Sequence, residues 1–248
     1  MRAKLLVLIL ILVLVTITSA QPVTWEPMLS AQPFSWAACG ILANYFYTWG
    51  GDFSIPFGQA FNLATREWTM IPQAPNVWGM AAAATTDSAI YLIGYYLSLE
   101  PGQVQKFTPD PATGGPLGTW TQLEHYPIPI YAAAAAWDGG NYIYVAGGSS
   151  DAAGTVHNLA YRYNIAGDAW TPLPNMPIAT GWCGGAFVQG KFYVVGGWYQ
   201  GTLLQEWDPD AYQWTLKTPP TVPVNTAAFA TTTNGNLLFT VGGVLRVH

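Results

Sequence analysis

KFYVVGG, Lys191 to Gly197, is a short apolar strand that halts on two glycines. The same arrangement recurs along the chain. NYFYTWGG ends at Gly50–Gly51, NYIYVAGG at Gly147–Gly148 and NLLFTVGG at Gly242–Gly243; AIYLIGY ends at Gly94–Tyr95, with the second glycine lost. Five copies at a near-regular period make the chain a repeat array.

Each copy carries further marks. A tryptophan stands 25 to 28 residues before each first glycine: Trp25, Trp68, Trp120, Trp170 and Trp214. Threonine follows four of the five. Phe61–Asn62, Tyr163–Asn164 and Trp207–Asp208 place an Asn or Asp six residues ahead of the next tryptophan. Such a residue bonds its own backbone two residues on and opens a hairpin turn. The second repeat instead has Phe107–Thr108 and the enlarged turn PDPATGGPLG. Alternating segments such as LAYRYN read as strands. Each repeat is therefore two hairpins, a four-stranded sheet that buries its faces only by stacking on its neighbours.

The first twenty residues read as a leader. Arg2 and Lys4 precede the apolar run Leu5 to Val15, and Thr18-Ser19-Ala20 is a small-residue cleavage site, so the mature chain is expected to start at Gln21. An uncleaved anchor is the competing reading. No cysteine stands at the cleavage site, which argues against a lipoprotein, and no later stretch is long and apolar enough for a membrane helix.

Without Arg2 and Lys4, six basic residues face thirteen acidic ones, a formal charge of −7 with no basic cluster. Nucleic acid is therefore an unsuitable partner. Charged residues make up 8% of the chain and aromatics 15%, which suits an exported all-β protein and not a disordered one. Cys39 and Cys183 lie three repeats apart, too far for a bridge, and are expected to be separate buried thiols.

The glycine pairs, the aromatic-Asx turns and the tryptophans resemble the kelch repeat, from Trp25 to Gly243. The likeness implies an all-β, kelch-type β-propeller of four-stranded antiparallel blades, in an exported protein of bacterial type. It spans residues 21–248, about five blades. One departure stands out. Kelch repeats commonly carry an arginine ahead of the strand before the glycine pair, where this chain has Trp36, Trp78, Tyr131, Trp182 and Asn225–Thr226. The Trp-Asp dipeptide of WD40 repeats does not recur once per repeat, and the Asp-box of sialidases is missing. Kelch rings usually have six or seven blades. The expectation is that the chain continues beyond His248; a five-bladed ring closed by the segments around Trp25 and 226–241 is the alternative.

In a propeller, the loop leading into the innermost strand and the loop after the second strand open on one face. The first set holds Trp36, Trp78, Tyr131 and Trp182; the second holds Asp52–Phe53, Tyr95–Tyr96, Ser149-Ser150-Asp151 and Trp198–Tyr199. Converging rings would make an aromatic site for a protein or a carbohydrate, with Asp151 taking hydroxyls. Packing of the same rings as a channel plug is the competing reading.

Catalysis has little support. His125 is placed in a loop between blades, His157 at the start of a third strand and His248 at the terminus, so the histidines do not cluster as in the copper radical oxidases built on kelch-type propellers. Glu206, Asp208 and Asp210 alternate, but Asp208 already serves as a turn opener. Asp52 and Asp151 are the only carboxylates on the expected functional face, two blades apart. No catalytic residue, metal or cofactor is expected. The residues favour a recognition module over a sugar-active enzyme or a structural domain of a larger cell-surface protein.

Overall fold

The computed structural model describes residues 36–50, 58–76, 79–96, 102–110, 115–197, 203–218, 230–233 and 238–241. The described residues are all-β. Four antiparallel sheets of four strands follow one another in the chain. Blade 1 is β1 (Ala38–Leu42), β2 (Tyr45–Trp49), β3 (Gly58–Asn62) and β4 (Trp68–Ile71). Blade 2 is β5 (Ala82–Thr85), β6 (Ile90–Ile93), β7 (Gly102–Pro109) and β8 (Gly118–Tyr126). Blade 3 is β9 (Ala134–Trp137), β10 (Tyr142–Ala146), β11 (Ala160–Asn164) and β12 (Ala169–Leu173). Blade 4 is β13 (Gly184–Val188), β14 (Lys191–Val195), β15 (Leu204–Asp208) and β16 (Gln213–Leu216). A hairpin, β17 (Ala230–Thr233) and β18 (Leu238–Val241), continues the series. The inner strands β1, β5, β9, β13 and β17 lie side by side in that order, which is the radial blade arrangement of a β-propeller.

The strand registers explain the sequence marks. Side chains alternate between the two faces of a blade. One face carries a cross-strand row that looks back at the preceding blade: Ile90–Phe107–Trp120 in blade 2, Ile143–Tyr163–Trp170 in blade 3 and Phe192–Trp207–Trp214 in blade 4. Its last two rings lie 5.1, 5.0 and 5.5 Å apart. The threonine after each tryptophan falls on the other face, opposite a strand-3 residue: Ala60–Thr69, Lys106–Thr121, Arg162–Thr171 and Glu206–Thr215. On that forward face a tyrosine also holds the same strand-2 position in every one of these blades: Tyr47, Tyr91, Tyr144 and Tyr193. Each pairs with Gly40, Ala84, Ala136 or Ala186 on the innermost strand, where space is least.

Forward tyrosines meet the next blade's backward row. Tyr47 packs on Phe107 at 5.4 Å, Tyr91 on Tyr163 at 6.2 Å and Tyr144 on Phe192 at 5.8 Å. Each of the three core clusters therefore straddles a seam between blades. Burying one such ring contributes on the order of 2–3 kcal/mol, so the seams hold the blades together.

The Asx turns form as the spacing requires. Asn62 Oδ1 accepts from the backbone N–H of Ala64 and Thr65, Asn164 Oδ1 from Gly167, and Asp208 Oδ1 from Asp210 and Ala211. The residue four beyond each turns left-handed: Arg66, Asp168 and Tyr212. The tryptophan then opens the outer strand or falls one residue inside it, six residues after the Asx.

Two placements differ from the sequence reading. His125 lies within β8, because that strand runs nine residues, and His157 lies in the loop ahead of β11. Both cysteines are free thiols, but only one is sheltered. Cys183 is half-buried, its Sγ beside Gly147, and burial pushes its thiol up to about 12. Cys39 is exposed, because it alternates onto the face of β1 that looks away from blade 2. The leader, Trp25 and the segment beyond Val241 lie outside the described residues.

Candidate functional site

The loops before the inner strands are joined into a belt. Met80 N–H donates to Trp36 O, Ala132 N–H to Met80 O and Trp182 N–H to Ala132 O, each at 2.7 Å. All four residues are left-handed, with φ of 58°, 59°, 51° and 54°. This conformation is costly for any side chain with a Cβ. It recurs once per blade because it turns the N–H toward one neighbouring blade and the C=O toward the other. The belt position lies two residues before each inner strand and twelve residues after Trp68, Trp120 and Trp170.

The belt sorts the expected site residues. Trp36 and Trp182 occupy belt positions. Trp78 and Tyr131 do not: Met80 and Ala132 hold those places, and the spacing from the outer-strand tryptophan, used as a ruler, would have found them. Trp36 is 48% exposed. Tyr131 is 2% exposed, and its hydroxyl donates to Asp151 O at 2.7 Å. Tyr131 also exchanges backbone hydrogen bonds with Ser149, both at 2.9 Å. It fastens the blade 3 lead-in loop to the loop after Gly148.

The glycine loops open on the same face. Gly148 N–H donates to Thr180 O at 2.8 Å and Tyr96 N–H to Gly79 O at 3.0 Å. Tyr96, Tyr131 and Trp182 form a chain of edge-to-face rings, with centroids 5.0 and 5.6 Å apart. Tyr95, Tyr96 and Trp182 are half-buried and Asp151 is exposed. Phe53, Trp78, Trp198 and Tyr199 lie outside the described residues.

The Asp151 turn is tightly tied. Asp151 Oδ1 accepts from Thr155 N–H at 2.9 Å, Gly154 N–H donates to Asp151 O at 3.1 Å, and Ser149 Oγ donates to Thr155 O at 2.9 Å. These Thr155 hydrogen bonds hold the Asp151 carboxyl below the usual aspartate range. His157 Nε2 lies 2.7 Å from Ser150 Oγ, and burial holds its pKa below the ordinary histidine value. Among the described residues no group of three or more His, Cys, Asp or Glu side chains is placed to hold a metal ion. No described helix is long and apolar enough to cross a membrane.

Comparison with known proteins agrees with the blades. Residues 139–177, which contain the blade 3 glycine pair, its Asx turn and Trp170, match the kelch motif. The chain is 27% identical over 201 residues to the kelch-like protein terF of Aspergillus terreus, covering 75% of this chain and 42% of that protein. It is 35% identical over 81 residues to an F-box/kelch-repeat protein of Arabidopsis thaliana, covering 29% of this chain and 19% of that one. The chain thus spans less than half the length of these curated relatives. A matched kelch motif, kelch-like relatives and successive four-stranded blades together make this chain similar to the kelch-repeat proteins.

Proposed function

We propose that this chain is an exported recognition module that docks a protein or glycan partner on its loop face. The observation that carries the reading is the belt. Four left-handed residues in succession hold the lead-in loops rigid, and two of them, Trp36 and Trp182, are tryptophans at the mouth. A preorganised loop surface loses little entropy on binding, and large rings supply most of the contact energy. Tyr131 serves as the buried fastener of this surface and takes no direct part in contact. The kelch match supports protein docking as the general role; export rests on the leader read at residues 1–20.

The test is a binding screen of the secreted chain against glycan arrays and co-purifying proteins. Partner affinity should fall at least ~10-fold in Trp36→Ala and Trp182→Ala, with the far-ultraviolet spectrum unchanged. Unaltered binding in both variants would sink the loop-face assignment.

A further inference from the structure

We propose that the corner formed by Asp151 and Trp182 takes a basic side chain, lysine or arginine, of a docked protein. The proposal rests on the loop-face reading and names the chemistry of its partner. Trp182 leans from its belt position over the tight turn that begins at Asp151. Its six-membered ring, at Cη2, comes within 3.3 Å of where a Cβ on Gly154 would stand. Gly154, with φ +79°, therefore leaves the ring room to lie beside the turn. The same turn presents the Asp151 carboxylate, exposed but fixed through its own hydrogen bonds to Thr155. An ionised carboxylate beside an indole ring suits a cation, which gains both the charge and the ring quadrupole.

The surroundings favour the same sign. The six basic residues after the leader are Arg66, Lys106, Arg162, Lys191, Lys217 and Arg246. None falls in the stretches that lead into β1, β5, β9 and β13 or in those that follow β2, β6, β10 and β14. The described ones are otherwise placed: Arg66 in a β3–β4 turn, Lys106 and Arg162 mid-strand, Lys191 bonded to Asp208 and Lys217 to Glu206. His157, the nearest group able to become cationic, is held toward its neutral form by burial. A partner's cation would thus meet a carboxylate and a ring with no competing positive charge from these loops.

The test uses arginine and its neutral isostere. Acetyl-arginine-amide, acetyl-citrulline-amide and acetyl-glutamate-amide are titrated into the mature chain, and the Trp182 indole N–H resonance is followed by NMR, assigned with Trp182→Phe. Arginine should shift this resonance with at least ~10-fold higher affinity than citrulline, a difference of about 1.4 kcal/mol. High salt and Asp151→Asn should erase the difference, while Asp151→Glu should retain part of it. Citrulline equal to arginine, or an arginine shift that survives Asp151→Asn, overturns the cation assignment. If citrulline shifts Trp182 as tightly as arginine does, the loop face still binds and only its charge preference is wrong. If no probe moves Trp182 or Trp36, both readings fail.

Discussion

Gly94 shows what the glycines do. A Cβ there would lie 2.0 Å from Ile130 O, and φ is +68°. Gly147 meets Thr180 O in the same way, at 2.4 Å. Gly50, Gly94, Gly147 and Gly196 all turn left-handed, and the next blade's lead-in loop passes directly over Gly94 and Gly147. Gly94→Ala combines a backbone clash with a strained φ and should cost at least ~2 kcal/mol, read as a lower midpoint in urea. The second glycine is dispensable where the chain bends otherwise. Tyr95 has no positive φ, which is why blade 2 places an aromatic there without penalty. Glu206 is another residue whose setting matters. It occupies the forward position held by Lys106 and Arg162 in the blades before. Burial pushes its carboxyl up, but the Tyr193 and Lys217 hydrogen bonds and the Lys217 charge outweigh this, and the net shift is downward from 4.5. A depressed folded pKa contributes stability above that value and loses it as pH falls through the folded one. Melting temperature should therefore drop on acidification below about pH 5, and Lys217→Met should flatten that decline.

At the scale of the element, the outer-strand tryptophan is a latch between blades. Trp214 Nε1 donates to Pro174 O at 2.8 Å and Trp170 Nε1 to Glu124 O at 3.0 Å. Asp168 reinforces the second latch, accepting from Glu124 N–H at 2.8 Å and from the Tyr163 hydroxyl at 2.6 Å. Trp120 is the exception. Its expected acceptor, Pro72 O, is taken by Trp49 Nε1 at 3.2 Å, and the Trp120 N–H is buried with no partner among the described residues. Gly58 makes room for that extra ring; a Cβ there would lie 2.4 Å from Trp49. Trp170→Phe should therefore cost ~1 kcal/mol or more, while Trp120→Phe should be nearly neutral, because it removes an unsatisfied donor. Chemical denaturation of the two variants side by side decides this. The sequence showed that these tryptophans repeat; which carbonyl each one meets depends on the neighbouring blade.

Across the whole molecule, the blades are joined by seams that no blade can bury alone. Ile143 is fully buried in the cluster shared by blades 2 and 3. Ile143→Ala should cost ~2–5 kcal/mol, and tryptophan fluorescence and circular dichroism should still report one coincident transition, since each blade's core includes its neighbour. Two separated transitions would contradict that coupling. The architecture was legible early because glycine stops, Asx turns and tryptophans are local devices whose spacing follows from a strand's length and a turn's geometry. The functional face was legible only in outline. Trp36 and Trp182 were found from their place ahead of an inner strand, yet Tyr131 looked equivalent by the same rule and is a buried fastener. Met80 and Ala132 carry no aromatic signal, and their role lies in backbone angles and in hydrogen bonds to other blades. By itself, then, the sequence determined a repeating all-β chain whose strands end on glycine. Only the tertiary structure decided which loop residues present a surface, because exposure and inter-blade hydrogen bonds arise when distant repeats meet.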